Sequence, residues 1–417
     1  MVVTGVGVVS ALGSDASFWD GLCAGASGIA PAEGFDPGPG APRLIARARS
    51  FDARQHVAPA LLRRMDRFSQ MVVTATRSAL ADARLVFTDA TAEAAGVVVG
   101  TAYGNLSESE DFLRALFAKG PARANPLTFP NLVLNAPTGY VAIDLGLRGP
   151  NFTVACGEAS GERALALAYD TLASGQADVL LAGGGDEIAP VLFHIHKDLG
   201  VLSPAAGKRR ARRPLDPEAE RSSPFDRDRN GFVMGEGAAM LVLERAEHAA
   251  ARGATLYAEL VGYAAESVAA SPHDWPRPRA GATTVTAQQL ATLGWEYPGP
   301  RDLVLSCANS TPALDAFEAA RLARLLGEAA RSTLVTSIKG GIGEFGGAGA
   351  LTAAAAALAL QTGRLPRLGA LGAQDPRCAL RLATREVDDP AGGLRHAVVS
   401  CTPRGGACLA LLFRSLS

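Results

Sequence analysis

The chain has 417 residues, 48% of them apolar, enough to bury one large core or two fused halves, and its length suggests two or three domains. A formal net charge of −1 argues against nucleic acid as the main partner, and six irregularly spaced cysteines with no C-x-x-C suggest reduced thiols in a cytoplasmic setting. No run reaches the ~18 to 20 uninterrupted apolar residues of a membrane helix, so no membrane association is expected.

In chain order, residues 2–13 (VVTGVGVVSALG) read as a first strand and turn; they lack the basic leader and cleavage site of a signal peptide. The GVGVVS within them resembles the start of a dinucleotide fingerprint, but the third glycine and the later acidic residue are missing. Residues 97–100 read as a buried strand ending in a small residue. Phe112, Leu113, Leu116 and Phe117 fall at helical spacing, the pattern of a core-facing stripe. In residues 149–161 (GPNFTVACGEASG), the β-rich run Phe152, Thr153, Val154 breaks at Gly157 and enters a helix at about Ser160. A strand-to-helix turn of this kind holds one side chain at the mouth of a site, beside helix-terminal N–H groups suited to an oxyanion. That side chain is the carboxylate of Glu158.

Residues 180–185 form a second buried strand. His194 and His196, two apart, have no further metal ligands nearby in sequence, so a packed or solvent-facing role is expected. Residues 202–229 are rich in Pro, Ser and charge and read as a surface excursion. The basic run at 208–213 (KRRARR) is followed by Asp216, Glu218 and Glu220. After a strand at 239–243 and a short charged helix, the join of two halves is placed near 252–254, giving units 1–252 and 253–417. Residues 276–281 read as a second exposed loop. The succession strand, glycine-rich turn, apolar helix at 152–172 recurs at 333–360, and the strands at 97–100 and 180–185 have counterparts at 303–306 and 397–400. The Ala-rich run 351–360 is apolar all round but short, as in a buried helix. Alternating strands and helices imply an α/β protein with parallel sheets covered by helices.

Five motifs together carry a family resemblance over nearly the whole chain. GPNFTVACGE is similar to the signature of the β-ketoacyl synthases of the thiolase-like superfamily, which ends in a catalytic cysteine; alignment on Gly149, Pro150 and Asn151 puts Glu158 there, with Cys156 two residues early. Residues 182–187 (AGGGDE) and 224–244 (PFDRDRNGFVMGEGAAMLVLE) match strongly, the second being the most specific. SCANSTPALDAFE keeps Thr311, Pro312, Asp315 and Glu318 of a histidine motif but has Cys307 for the histidine. KGGIGEFGGAGA keeps Lys339 and Gly343 of another but has Glu344 for its histidine. None of His56, His194, His196, His248, His273 and His396 falls at either motif.

The resemblance implies the thiolase-like fold, two duplicated halves forming a five-layered α-β-α-β-α core, with no cofactor and no metal. It also implies that the Cys-His-His triad has become Glu158, Cys307 and Glu344, beside a retained Lys339. Loss of all three within a preserved frame resembles the chain-length factors, which pair as heterodimers with an active ketosynthase in type II polyketide synthases and work on chains carried by acyl carrier protein. Glutamate departs from the usual glutamine of that group, and residues 131–151 read closer to fatty-acid-like synthases, pointing to a reducing or polyene-forming system. In that setting Phe112, Leu113, Leu116 and Phe117 would close an acyl tunnel at the subunit interface, and KRRARR is either a self-compensated solvated loop or a dock for an acidic carrier protein.

Three readings of Glu158 stay open. It fills a vacated pocket, held by helix N-terminal amides and Lys339; it assists decarboxylation of a malonyl unit; or it joins Cys307 and Glu344 in hydrolytic or metal chemistry. The second and third would make the chain an independent decarboxylase or acyltransferase. A C-terminal loop motif with two gating phenylalanines corresponds to SCTPRGGAC, where Thr402, Pro403 and Arg404 suggest that no gate is needed.

Overall fold

The computed structural model describes residues 1–205, 219–277 and 284–416. The basic run at 208–213 and the tip of the 276–281 loop lie outside them.

Eleven strands follow one another across a 12-stranded sheet; the twelfth, Gly13–Ser14, only hairpins back onto the first. In chain order they are β1 (Val2–Ser10), β2 (Ala95–Gly100), β3 (Asn151–Val154), β4 (Val179–Asp186), β5 (Gly237–Glu244), β6 (Ala258–Ser267), β7 (Asp302–Ser306), β8 (Leu334–Thr336), β9 (Arg381–Leu382), β10 (His396–Cys401) and β11 (Ala407–Arg414). The spatial order is β9-β8-β7-β10-β11-β6-β1-β5-β4-β2-β3. Outward from the central β1/β6 contact, each side runs antiparallel, antiparallel, parallel, parallel, and the β6 side adds one further parallel pairing, β8 with β9. That mirrored order is the duplication seen in sequence. The two half-sheets meet only through Val2↔Glu259 and Val3↔Ala258.

Helices complete the layers. α1 (Arg67–Ala83), α2 (Leu106–Lys119), α3 (Ala136–Leu145), α4 (Ser160–Ala173), α5 (Pro190–Asp198), α6 (Thr284–Thr292), α7 (Pro312–Leu326) and α8 (Ala348–Thr362) are those that matter here. α4 and α8 lie between the half-sheets, α1 and α3 cover one outer face, and α6 and α7 cover the other. This is the five-layered arrangement of the thiolase-like fold. α8 is apolar all round because strands and α4 surround it, and Ala348 to Ala357 are all buried. At the crossing of α4 and α8 only glycine fits: a Cβ on Gly161 would stand 2.5 Å from the Ala350 nitrogen.

One expectation is corrected. The second part of the 202–229 segment is interior: Ser222, Ser223, Phe225, Asp226 and Arg229 are buried. Its charges are tolerated there because each finds a partner, with Arg229 Nη1 donating to Asp375 at 2.6 Å and Asp226 Oδ2 accepting from the Gly372 N–H at 2.7 Å. No helix among the described residues is long and apolar enough to cross a membrane.

Candidate functional site

β3 ends at Val154, Gly157 adopts φ 58°, a left-handed conformation that glycine takes without strain, and α4 begins at Ser160. The Cys156 N–H donates to Ser160 Oγ at 2.9 Å and that hydroxyl donates to the Gly157 carbonyl at 2.7 Å, which fixes the turn. Glu158 rides on it, its side chain 16% exposed.

The partner of Glu158 differs from the one expected. Arg404 Nη1 donates to Glu158 Oε1 at 2.6 Å, and the Arg404 backbone N–H reaches Oε2 at 3.3 Å. The guanidinium sits over the Trp275 ring, 4.3 Å from its centroid. Lys339 is instead taken by Glu344, with Nζ 3.0 and 2.8 Å from the two carboxylate oxygens, and Asn309 Nδ2 donates to Glu344 at 2.7 Å. The loop without phenylalanines thus places a cation, Arg404, against Glu158.

Electrostatics follow burial and pairing. Burial disfavours the Lys339 ammonium, but the neighbouring Glu344 carboxylate more than offsets this and holds its pKa above the usual lysine range. Burial pushes the Cys307 thiol up, so it stays protonated. Its sulfur accepts from the Thr402 N–H at 3.1 Å, and Ala159, Leu314 and Cys401 pack with it. Cys307 is thus a small buried side chain packed among its neighbours. Among the described residues no group of three His, Cys, Asp or Glu is placed to hold a metal ion.

Glu158, Glu344, Asn309, Arg404 and Trp275 face one narrow cavity with Tyr103, His196 and Phe345, and its free space takes a few waters at most. Asp186, at the end of β4, organises one wall: its carboxylate accepts from Thr101 Oγ1 at 2.6 Å, the Tyr103 N–H at 2.8 Å and the Gly347 N–H at 2.8 Å. His196, on α5, is buried edge-on to Tyr103 and Phe232, and burial lowers its pKa to about 4, the Arg404 charge adding to the effect. One turn into α4, Glu162 is wholly buried with one oxygen unpartnered, and burial raises its pKa to about 7 against the pull of Lys339.

Sequence reasoning brought Glu158, Cys307, Glu344 and Lys339 to one region. It missed Arg404, Trp275, Asn309, His196 and Glu162. Of these, Arg404 carried a signal, a single basic residue in a loop otherwise small and neutral. The proposed tunnel residues lie elsewhere, on α2. They do not form a core stripe: Phe112 and Leu116 are half-buried, Leu113 is 45% exposed and Phe117 83% exposed.

A duplicated α/β scaffold with a cleft at a strand-to-helix turn, flanked by the motifs around residues 224–244 and 339–347, defines a condensing-enzyme architecture. The chain belongs to the β-ketoacyl synthase family: the model of the N-terminal domain matches residues 1–249 and that of the C-terminal domain residues 257–371. It is 35% identical over 387 residues to 3-oxoacyl-[acyl-carrier-protein] synthase 2 of Synechocystis, covering 91% of this chain and 90% of that one. It is 33% identical to the synthase of the same name from Staphylococcus aureus strain N315, covering 99% and 98%. Among solved structures it resembles the ishigamide ketosynthase/chain length factor, with TM-score 0.87 and 28% identity, covering 100% of this chain and 99% of that one.

Proposed function

We propose that this chain is the catalytically silent partner of an active ketosynthase, shaping an acyl tunnel that sets the length of a polyketide, of reducing or polyene type, carried on acyl carrier protein. The observation that carries the reading is the Glu158–Arg404 pair: the position of the nucleophile holds a carboxylate bound to an arginine, both side chains largely withdrawn from water. The two histidine positions offer no substitute. Cys307 is a buried thiol, and Glu344 is paired with Lys339, so neither position supplies an imidazole-type donor to a thioester carbonyl.

Pairing is supported by the edge of the sheet. Among the described residues β3 has no strand on its outer side, Phe152 is 38% exposed there, and Phe117, Leu127 and Ile143 on the flanking segments are 83, 82 and 71% exposed. Such an apolar face next to an unpaired strand is a liability in a monomer and suits a homologous subunit with a matching edge. Phe112 packs against Phe129 on this side, 6.1 Å between centroids. The ishigamide relative, named as a ketosynthase/chain length factor, supports the same reading.

The test is affinity purification from the native host, followed by intact mass and a malonyl-carrier-protein condensation assay with and without the co-purifying subunit. A one-to-one complex with a Cys-containing homologue, active only when paired, is the expected result. A homodimer that consumes malonyl carrier protein alone, and stops on Glu158→Ala, would replace this reading with an independent decarboxylase or acyltransferase.

A further inference from the structure

We propose that Arg404 and Trp275 form a receptor for a small carboxylate, and that the native chain fills it from within with Glu158. Both oxygens of the Glu158 carboxylate are received by one residue, Oε1 by the guanidinium at 2.6 Å and Oε2 by the backbone N–H at 3.3 Å. A side chain and a backbone donor converging on one carboxylate is a recognition geometry, and charge assistance makes it stronger than a neutral pair.

The receptor is built and not incidental. Trp275 underlies the guanidinium at 4.3 Å. The loop behind Arg404 is pinned: Gly405 and Gly406 both have φ 80°, the Gly405 N–H donates to the Asp274 carbonyl at 3.2 Å, and a Cβ on Gly406 would stand 1.8 Å from the Val268 carbonyl oxygen. With its backbone so held, Arg404 has little freedom to leave the position.

Placement gives the receptor a consequence. Among the described residues, an outer groove lined by residues 199–201 and 272–277 and the inner cavity share only two lining residues, Trp275 and Arg404. The Arg404–Trp275 stack is therefore the wall between them, with Glu158 on its inner side, and a carboxylate-bearing ligand that reaches Arg404 meets a site already occupied. The ligand class follows from the occupant. Beyond its Cα, Glu158 is a propionate group, so a short-chain monocarboxylate of two or three carbons is what the vacated site takes.

The test titrates the full chain with sodium propionate at constant ionic strength, sodium chloride as the balancing salt, and reads binding by ligand-observed NMR and by thermal midpoint. Glu158→Ala is expected to bind propionate at least tenfold more tightly than the wild type, and Glu158→Ala/Arg404→Ala to lose that gain. Glu158→Ser carries the same titration should the alanine variant be unstable. Glu158→Gln, which keeps the volume filled, is expected to bind no better than the wild type. Equal response in all variants, or binding that survives removal of Arg404, overturns the proposal. This readout is independent of condensation activity, so the receptor and the silent-partner reading stand or fall separately.

Discussion

Gly349 on α8 leaves the space that Glu162 on α4 occupies: a Cβ added to Gly349 would stand 1.9 Å from the Glu162 carboxyl carbon. Two central helices thus cross where one lacks a side chain and the other buries a carboxyl group. Gly349→Ala is expected to destabilise the chain by about 1–3 kcal/mol through overpacking, despite the better helix propensity of alanine. Glu162→Ala in the same chain should recover most of the loss, because the colliding group is gone. A urea-denaturation double-mutant cycle measures the coupling, and additive effects would count against this contact.

Glu162 also predicts a pH dependence. Its folded pKa is raised from 4.5 to about 7, so the folded chain holds a proton that the unfolded chain has released. Its contribution to stability is fully present below pH 4.5 and is lost as the pH rises through about 7. Glu162→Gln removes the titration, and its stability relative to wild type should rise by on the order of 2–3 kcal/mol between pH 4.5 and 7.5. Thermal midpoints across that range, compared pairwise, check it.

His196 predicts the opposite limb. Its pKa falls from 6.5 to about 4 on folding, so the unfolded chain binds the extra proton. Stability from this group is present above pH 6.5 and is lost as the pH falls towards 4. His196→Phe, suited to a site between Tyr103 and Phe232, should flatten the acid limb of the stability curve between those values.

Phe117→Asp and Phe152→Asp test the interface. Phe117 is 83% exposed, so its replacement should change stability by no more than about 0.5 kcal/mol, whereas Phe152, 38% exposed within a paired strand, should cost more. Pairing with the ketosynthase, measured by co-purification and by affinity of the separated subunits, should weaken tenfold or more if they meet its surface. Unaltered pairing would remove this face from the proposed interface.

Phe112→Ala is expected to lengthen the product. If the Phe112 ring ends the tunnel, each added two-carbon unit meets a packed wall costing ~1 to 3 kcal/mol, and truncation removes it. Phe117→Ala offers the same test for the second ring. Mass spectrometry of products from the reconstituted pair reads the result, and unchanged length with intact assembly excludes these side chains as gates.

Much of the architecture was legible in the residues. Strand runs such as 97–100 and 180–185 are short and wholly apolar or small, which follows from burial on both faces, and their recurrence at 303–306 and 397–400 shows up as the mirrored sheet order. The turn at Gly157 was readable because glycine takes φ 58° without strain and the motif around it is distinctive. The 222–229 segment misled, since buried charged residues whose partners lie far along the chain look in sequence like solvent-facing ones.

The expectation that Glu158, Cys307 and Glu344 stand where the resemblance implies Cys-His-His came from sequence alone, because motif spacing preserves each position whatever stands on it. Which cation answers which carboxylate was different. Lys339 is five residues from Glu344 and pairs with it, whereas Glu158 reaches Arg404 across 246 residues. Local spacing constrains the first pair; the second exists only because β10 carries the loop after it over the start of α4. Ion pairs answer to distance in space, and that distance is set by packing.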